Sequence, residues 1–246
     1  VALAGDIPPE AGFALADTAL CAWAKPATPL TPASAARAAL PPRALSIDMP
    51  KIGQAVVLLG RVGPSRMADD FFPTIVANNV LGGGYSARLN AEIRIKRGLS
   101  YGANSGVTAR KQPGPITALA QTRNDAVPDV VDLMVSEFAR LGSEPIPANE
   151  LGARKAVIIG GFGRSVETTT GLAGQYSALA QYGLPLEKLQ TYSADINAVT
   201  AEQAGAAAKA YYDPANASLI VVGDAAQFWD QIKDKRAGME RLAVDK

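Results

Sequence analysis

The chain of 246 residues can bury one sizeable core, or one domain with an appendage. Hydrophobic residues make up 48% and charged residues 19%, and 24 Lys plus Arg nearly cancel 23 Asp plus Glu, so neither nucleic acid nor an anionic membrane is expected as a partner. There is no histidine and Cys21 is the single cysteine, which excludes an internal disulfide, the commonest general base and the usual nitrogen ligands of zinc.

The chain opens at Val1 inside an apolar run, without initiator methionine or signal-peptide pattern, as expected of a fragment or processed product. No apolar stretch approaches the roughly 20 residues needed to cross a bilayer. Residues 1–6, VALAGD, read as the end of a buried strand, and residues 8–24 follow at helical spacing with Phe13, Leu20 and Trp23 available for packing. Near the other end, Leu219–Asp224 repeats the pattern of an apolar strand ending in Gly-Asp, followed by a helical stretch with Phe228, Trp229 and Ile232. The echo suggests two copies of one unit, the first surviving only as its tail. Residues 1–24 are therefore assigned to a preceding domain. Residues 25–44, with Pro26, Pro29, Pro32, Pro41 and Pro42 among alanines, are assigned to a linker, and residues 45–246 to the main domain.

Within the main domain, Ala55–Val62 reads as a strand. Residues 66–81 read as a helix with Met67, Phe71, Phe72, Ile75 and Val76 on its core side. Gly82–Gly84 breaks it before a second helix over 86–96. These glycines lack the Gly-Lys-Ser/Thr ending of a phosphate-binding loop. Tyr101–Ala109 and Ile116–Thr122 form a hairpin about the turn Lys111-Gln-Pro-Gly-Pro115. After Pro128, Val130, Leu133, Met134, Phe138 and Leu141 mark a one-sided core helix. Residues 147–212 read as helical, with breaks expected at Gly160–Gly163 and Gly183–Pro185. Thr200 with Gln203 predicts a capping box, and Asp213-Pro214 stops the last helix. The order of elements indicates an α+β fold, a two-layer antiparallel sheet with helices packed on one side. Glu92, Glu137, Glu144, Glu150 and Glu167 are scattered and read as solvated helix faces.

Residues 80–102, VLGGGYSARLNAEIRIKRGLSYG, resemble the non-catalytic C-terminal domains of pitrilysin/insulinase-type zinc peptidases, the mitochondrial processing peptidase-like group. The residues that carry the likeness are Ser86, Arg88, Leu89, Ile93, Arg94, Gly98, Leu99 and Tyr101. It continues at Gly183–Pro185, Ile196–Thr200 and Gly223-Asp224. The family's His-x-x-Glu-His zinc motif belongs to the preceding domain and is missing from this chain. The resemblance implies a metallohydrolase-type fold and no catalytic residue or metal ligand in this chain alone. It also implies a substrate-binding pair, Arg94 and Tyr101, that contacts peptide beside zinc held on an opposed catalytic domain.

The chemistry agrees with such a role. Arginine is always protonated and rich in donors, and a tyrosine hydroxyl adds one more, so both suit a carbonyl oxygen that gains negative charge. The alternative for the pair is a surface arginine and a half-buried tyrosine that holds a helix to the sheet. The expected partners are a catalytic zinc-peptidase domain of the same precursor or another subunit, in a dimeric arrangement, and a peptide substrate. The competing function is a scaffold or binding domain that has lost proteolysis. Neither periplasm nor cytoplasm is favoured as its compartment.

Overall fold

A computed structural model describes residues 1–28 and 40–244. Apolar runs become strands here because a pleated chain sends alternate side chains to opposite faces, and one face can then be buried. Six strands form one sheet: β1 (Ala44–Asp48), β2 (Gln54–Val62), β3 (Ser100–Val107), β4 (Pro115–Arg123), β5 (Ser218–Gly223) and β6 (Glu240–Ala243). Their order is β3-β4-β2-β5-β1-β6. From β3 to β5 the pairing is antiparallel, with β2 and β4 in register from Gln54↔Arg123 to Val62↔Pro115. β1 joins β5 and β6 in parallel, so the antiparallel sheet expected from the sequence is extended by a parallel margin.

Ala55, Val57 and Leu59 of β2, Ile116, Ala118 and Ala120 of β4, and Leu219 and Val221 of β5 are all fully buried on one face. Helices cover that face: α2 (Phe71–Gly82), α4 (Val127–Ser143) and α8 (Ala201–Tyr211). The opposite face carries Leu45, Ile47, Val56, Leu58, Leu119, Ile220 and Val222, none fully buried. The expectation of helices on one side of a sheet is met. The capping box at Thr200 and Gln203 forms with both reciprocal hydrogen bonds. In the core, the Tyr212 hydroxyl donates to Asn78 Oδ1 at 3.2 Å, and Asn78 Nδ2 donates to the Ser105 carbonyl at 3.2 Å. Burial pushes the Tyr212 hydroxyl well above the ordinary tyrosine range, so it stays a donor and ties α2 and the end of α8 to β3.

Several local expectations are corrected. Met67 precedes α2 and is exposed, because the helix begins only at Phe71. The glycines at 160–163 do not break α5 (Ala148–Val166), which runs through them. Phe162, between them, stacks on Tyr192 at 4.3 Å, and Ile158 and Ile159 pack on the core, so tertiary contacts outweigh a glycine cost of about 1 kcal/mol each. The following helices α6 (Thr169–Tyr182) and α7 (Lys188–Ala198) are separated at Gly183, as expected. Residues 1–6 pair with no strand among the described residues. The helix behind them, α1 (Pro9–Leu20), leaves Phe13 71% exposed, and Trp23 beyond it is 80% exposed. Of the linker assigned to residues 25–44, positions 29–39 lie outside the described residues. Behind β5, Phe228 and the four-residue α9 (Trp229–Ile232) return the chain to the core, where Phe228 and Ile232 are buried.

Candidate functional site

The segment from Gly82 to Gly102 folds into a helical turn followed by a reversal into β3. The short α3 (Arg88–Asn90) widens at once into a π-helical turn over Ala91–Ile95. Such wide turns recur at functional sites because they offset the side chains that follow. The chain then reverses at Gly98, whose φ of 62° favours glycine. The Gly98 amide donates to the Arg94 carbonyl at 3.0 Å, and the Leu99 amide reaches the Ile93 carbonyl at 2.9 Å. The end of Arg94's helix is thereby tied to the strand that carries Tyr101.

Tyr101 sits on a β-bulge. Ser100 pairs with Thr122 and Ala103 with Ala120, so Tyr101 and Gly102 together oppose Gln121. The Ser100 hydroxyl has the carbonyls of Gln121 (2.6 Å) and Gly102 (2.7 Å) within reach of its single proton and accepts from the Gly102 amide (3.0 Å), which pins the irregularity. Bulges re-aim side chains, and Tyr101 is 88% exposed as a result. The alternative of a half-buried tyrosine clamping helix to sheet is thus not what its surroundings provide. Arg94 is also exposed, with its guanidinium 5.1 Å from the centre of the Tyr85 ring. The two residues leave the same reversal, and no hydrogen bond or cation–π contact joins them among the described residues.

Charge on the turn is unevenly matched. Glu92 bonds both Lys96 and Arg97, whereas Arg94 has no acidic partner among the described residues. The hydrogen bond from Lys96, then that from Arg97, holds the Glu92 carboxyl below the ordinary glutamate range. Two clefts lie along this segment. One, of about 540 Å³, is floored by Gly82–Gly84 and Gly102–Ser105 beside Tyr85 and Asn90. The other, of about 360 Å³, lies between Tyr101 and the Gln54–Arg123 end of β2 and β4.

The remaining motif residues hold this arrangement in place. Arg88, 6% exposed, grips Glu150 of α5 through Nε (3.1 Å) and Nη2 (2.7 Å). Arg154, one turn further along α5, donates through Nη2 to the Ser86 carbonyl at 2.6 Å and hydroxyl at 3.2 Å. Leu89 and Ile93 are fully buried. The expectation that Glu150 and Glu137 belong to solvated faces is corrected: Glu150 binds a buried arginine, and Glu137 is 6% exposed. Sequence reasoning missed Glu150 and Arg154 because their partners lie 62 and 68 residues away. Their spacing of four on one helix, facing another helix start that carries Arg88, was the available signal.

Zinc does not fit this chain's donor set. There is no histidine, Cys21 is exposed, and no three of Cys, Asp or Glu converge as a metal-binding group among the described residues.

The architecture is thus an α+β one, a six-stranded sheet with helices on one face and the other face open. The family model described as the peptidase M16 inactive domain matches residues 1–158, and the chain belongs to that family. A crystal structure of a peptidase M16 inactive domain from Pseudomonas fluorescens superposes with a TM-score of 0.79 at 27% identity, over 89% of this chain and 52% of that one. An uncharacterized zinc protease of Streptomyces coelicolor is 30% identical over 146 residues, covering 59% of this chain and 32% of that protein. One of Bacillus subtilis is 29% identical over 116 residues, covering 47% of this chain and 28% of that protein. The chain thus spans under a third of the length of these curated relatives.

Proposed function

We propose that this domain forms one wall of a peptide-binding chamber and presents Arg94 and Tyr101 to substrate held opposite a zinc site on another domain or subunit. The observation that carries this reading is the state of Tyr101: a bulge sets it 88% exposed, on the same chain reversal as Arg94, which no carboxylate neutralises among the described residues. The open sheet face, with Val56, Leu58, Leu119, Ile220 and Val222 along it, supplies an apolar wall continuous with that edge. Family membership and the name zinc protease given to relatives support a partner that bears the metal, in the same precursor or in a dimeric assembly.

In the proposed reaction the role of this chain is electrostatic. As an amide bond is attacked, its carbonyl oxygen gains negative charge, and donors already in place stabilise that charge without reorganising. The Arg94 N–H groups and the Tyr101 O–H are such donors. The test is Arg94→Ala and Tyr101→Phe in the complete zinc-bearing enzyme. Losing one such donor costs about 2.7–4 kcal/mol, so kcat should fall about 10²- to 10³-fold, with KM, zinc content and Tm little changed. Full activity in both variants together with a lowered Tm would make the pair structural.

A further inference from the structure

We propose that the cleft beside Tyr101 selects peptides bearing an aspartate or glutamate side chain, with Arg123 as the specificity-determining residue. The inference rests on the peptide-contact reading above. The cleft is lined chiefly by Gln54, Leu99, Ser100, Tyr101, Gln121 and Arg123; no carboxylate lines it, and Arg123 is its one charged residue among the described residues.

An account of its polar groups leaves few for a ligand. The Ser100 hydroxyl is spent on the bulge, and the Thr122 hydroxyl donates to the Leu99 carbonyl. Gln121 Nε2 donates to Gln54 Oε1, which leaves the Gln54 amide donors unengaged among the described residues. Gln54 lies directly across from Arg123 in the β2–β4 register, so amide and guanidinium donors stand on one rung.

Arg123 pairs with Asp125, Nε to Oδ1 at 3.1 Å and Nη2 to Oδ2 at 3.4 Å, with the side chains 59% and 67% exposed. A pair so open to water is held weakly, and a ligand carboxylate can take the place of Asp125 at small cost. On the neighbouring turn Lys96 and Arg97 share Glu92, Arg97 also borders Asp129 and Asp132, and Arg94 has no acidic partner among the described residues. An acidic side chain that displaces Asp125 therefore meets the Arg123 guanidinium and the Gln54 amide, whereas a lysine meets the like charge of Arg123.

The purified chain can be titrated with short peptides of serine, valine and threonine that carry a neutral fluorophore and one Glu, Gln or Lys. The Glu peptide should bind about three- to five-fold more tightly than the Gln peptide. That ratio should approach one at about 1 M salt, where the screening length is about 3 Å. Arg123→Gln should reduce Glu binding to the Gln value without moving the latter. Asp125→Asn should widen the preference, and Arg123→Glu should invert it toward Lys. Equal binding of the Glu and Gln peptides by the unsubstituted chain would overturn this inference and leave peptide contact standing. Binding of none of the three would overturn both.

Discussion

Glu92 is one carboxylate serving two cations on the turn that also carries Arg94, and that sharing makes the turn sensitive to acid. Its side chain is 15% exposed, and those of Lys96 and Arg97 are 62% and 45% exposed, so the contribution is modest. Because the Glu92 carboxyl is depressed in the folded protein, its ionised form stabilises the fold at pH values above the ordinary glutamate pKa. That stability is lost as pH falls through the lower folded value, in the region below about pH 4. Urea midpoints measured at neutral and acid pH should therefore converge more in Glu92→Gln than in the unsubstituted chain. An unchanged difference between the two pH values would mean that the shared carboxylate contributes nothing. The sequence places Glu92 four residues before Lys96 and five before Arg97, so this local pairing was legible in principle. The bidentate Arg88–Glu150 pair was not, because nothing local to either residue selects the other.

At the scale of elements, α2 and β3 meet through a glycine. A Cβ on Gly82 would lie 2.3 Å from the Ser105 amide nitrogen and 2.8 Å from the Asn104 carbonyl carbon, both backbone atoms that cannot swing aside. Gly82→Ala should therefore force α2 away from β3 and cost about 1–3 kcal/mol, read as a lowered Tm. Gly84→Ala is the control, since its Cβ would meet nothing nearer than 3.9 Å. Equal stability of the two variants would refute the close approach. From sequence the Gly82–Gly84 cluster reads as a break between two helices. Its physical use is closer contact between a helix end and a strand, which then fixes the reversal bearing Arg94 and Tyr101.

At the scale of the molecule, the first 28 residues stand apart from the core. Val1 is 92% and Leu3 54% exposed. The one buried residue of α1, Gly12, has Leu3 and Ile7 of its own segment as its near neighbours. Leu172 and Tyr176 of α6 share an apolar cleft of about 620 Å³ with this segment. Removing residues 1–40 should leave one cooperative unfolding transition, with Tm changed by no more than a few degrees. A broadened or vanished transition would show that the segment belongs to the core and that the boundary near Leu45 is misplaced. The echo between Val1–Asp6 and Leu219–Asp224 remains a sequence observation: the second copy is a central strand of the sheet, and the first pairs with no strand among the described residues.

The sequence by itself determined the periodic elements and their punctuation: β2, the β3–β4 hairpin, α4, the Thr200 capping box and the stop after α8. Each follows from side-chain spacing or from the backbone chemistry of proline and glycine within a few residues. The motif around Ser86–Tyr101 also identified the family from residues alone. Tertiary structure decided whatever depends on residues far apart in the chain. Pairing across long loops has no local signature, so β1 between β5 and β6, and the latch of α5 on Ser86 and Arg88, were hidden. The continuity of α5 through its glycines rests on packing that propensity does not see. The bulge that exposes Tyr101 is set by register against β4, and register is a property of two strands, which neither strand's sequence specifies alone.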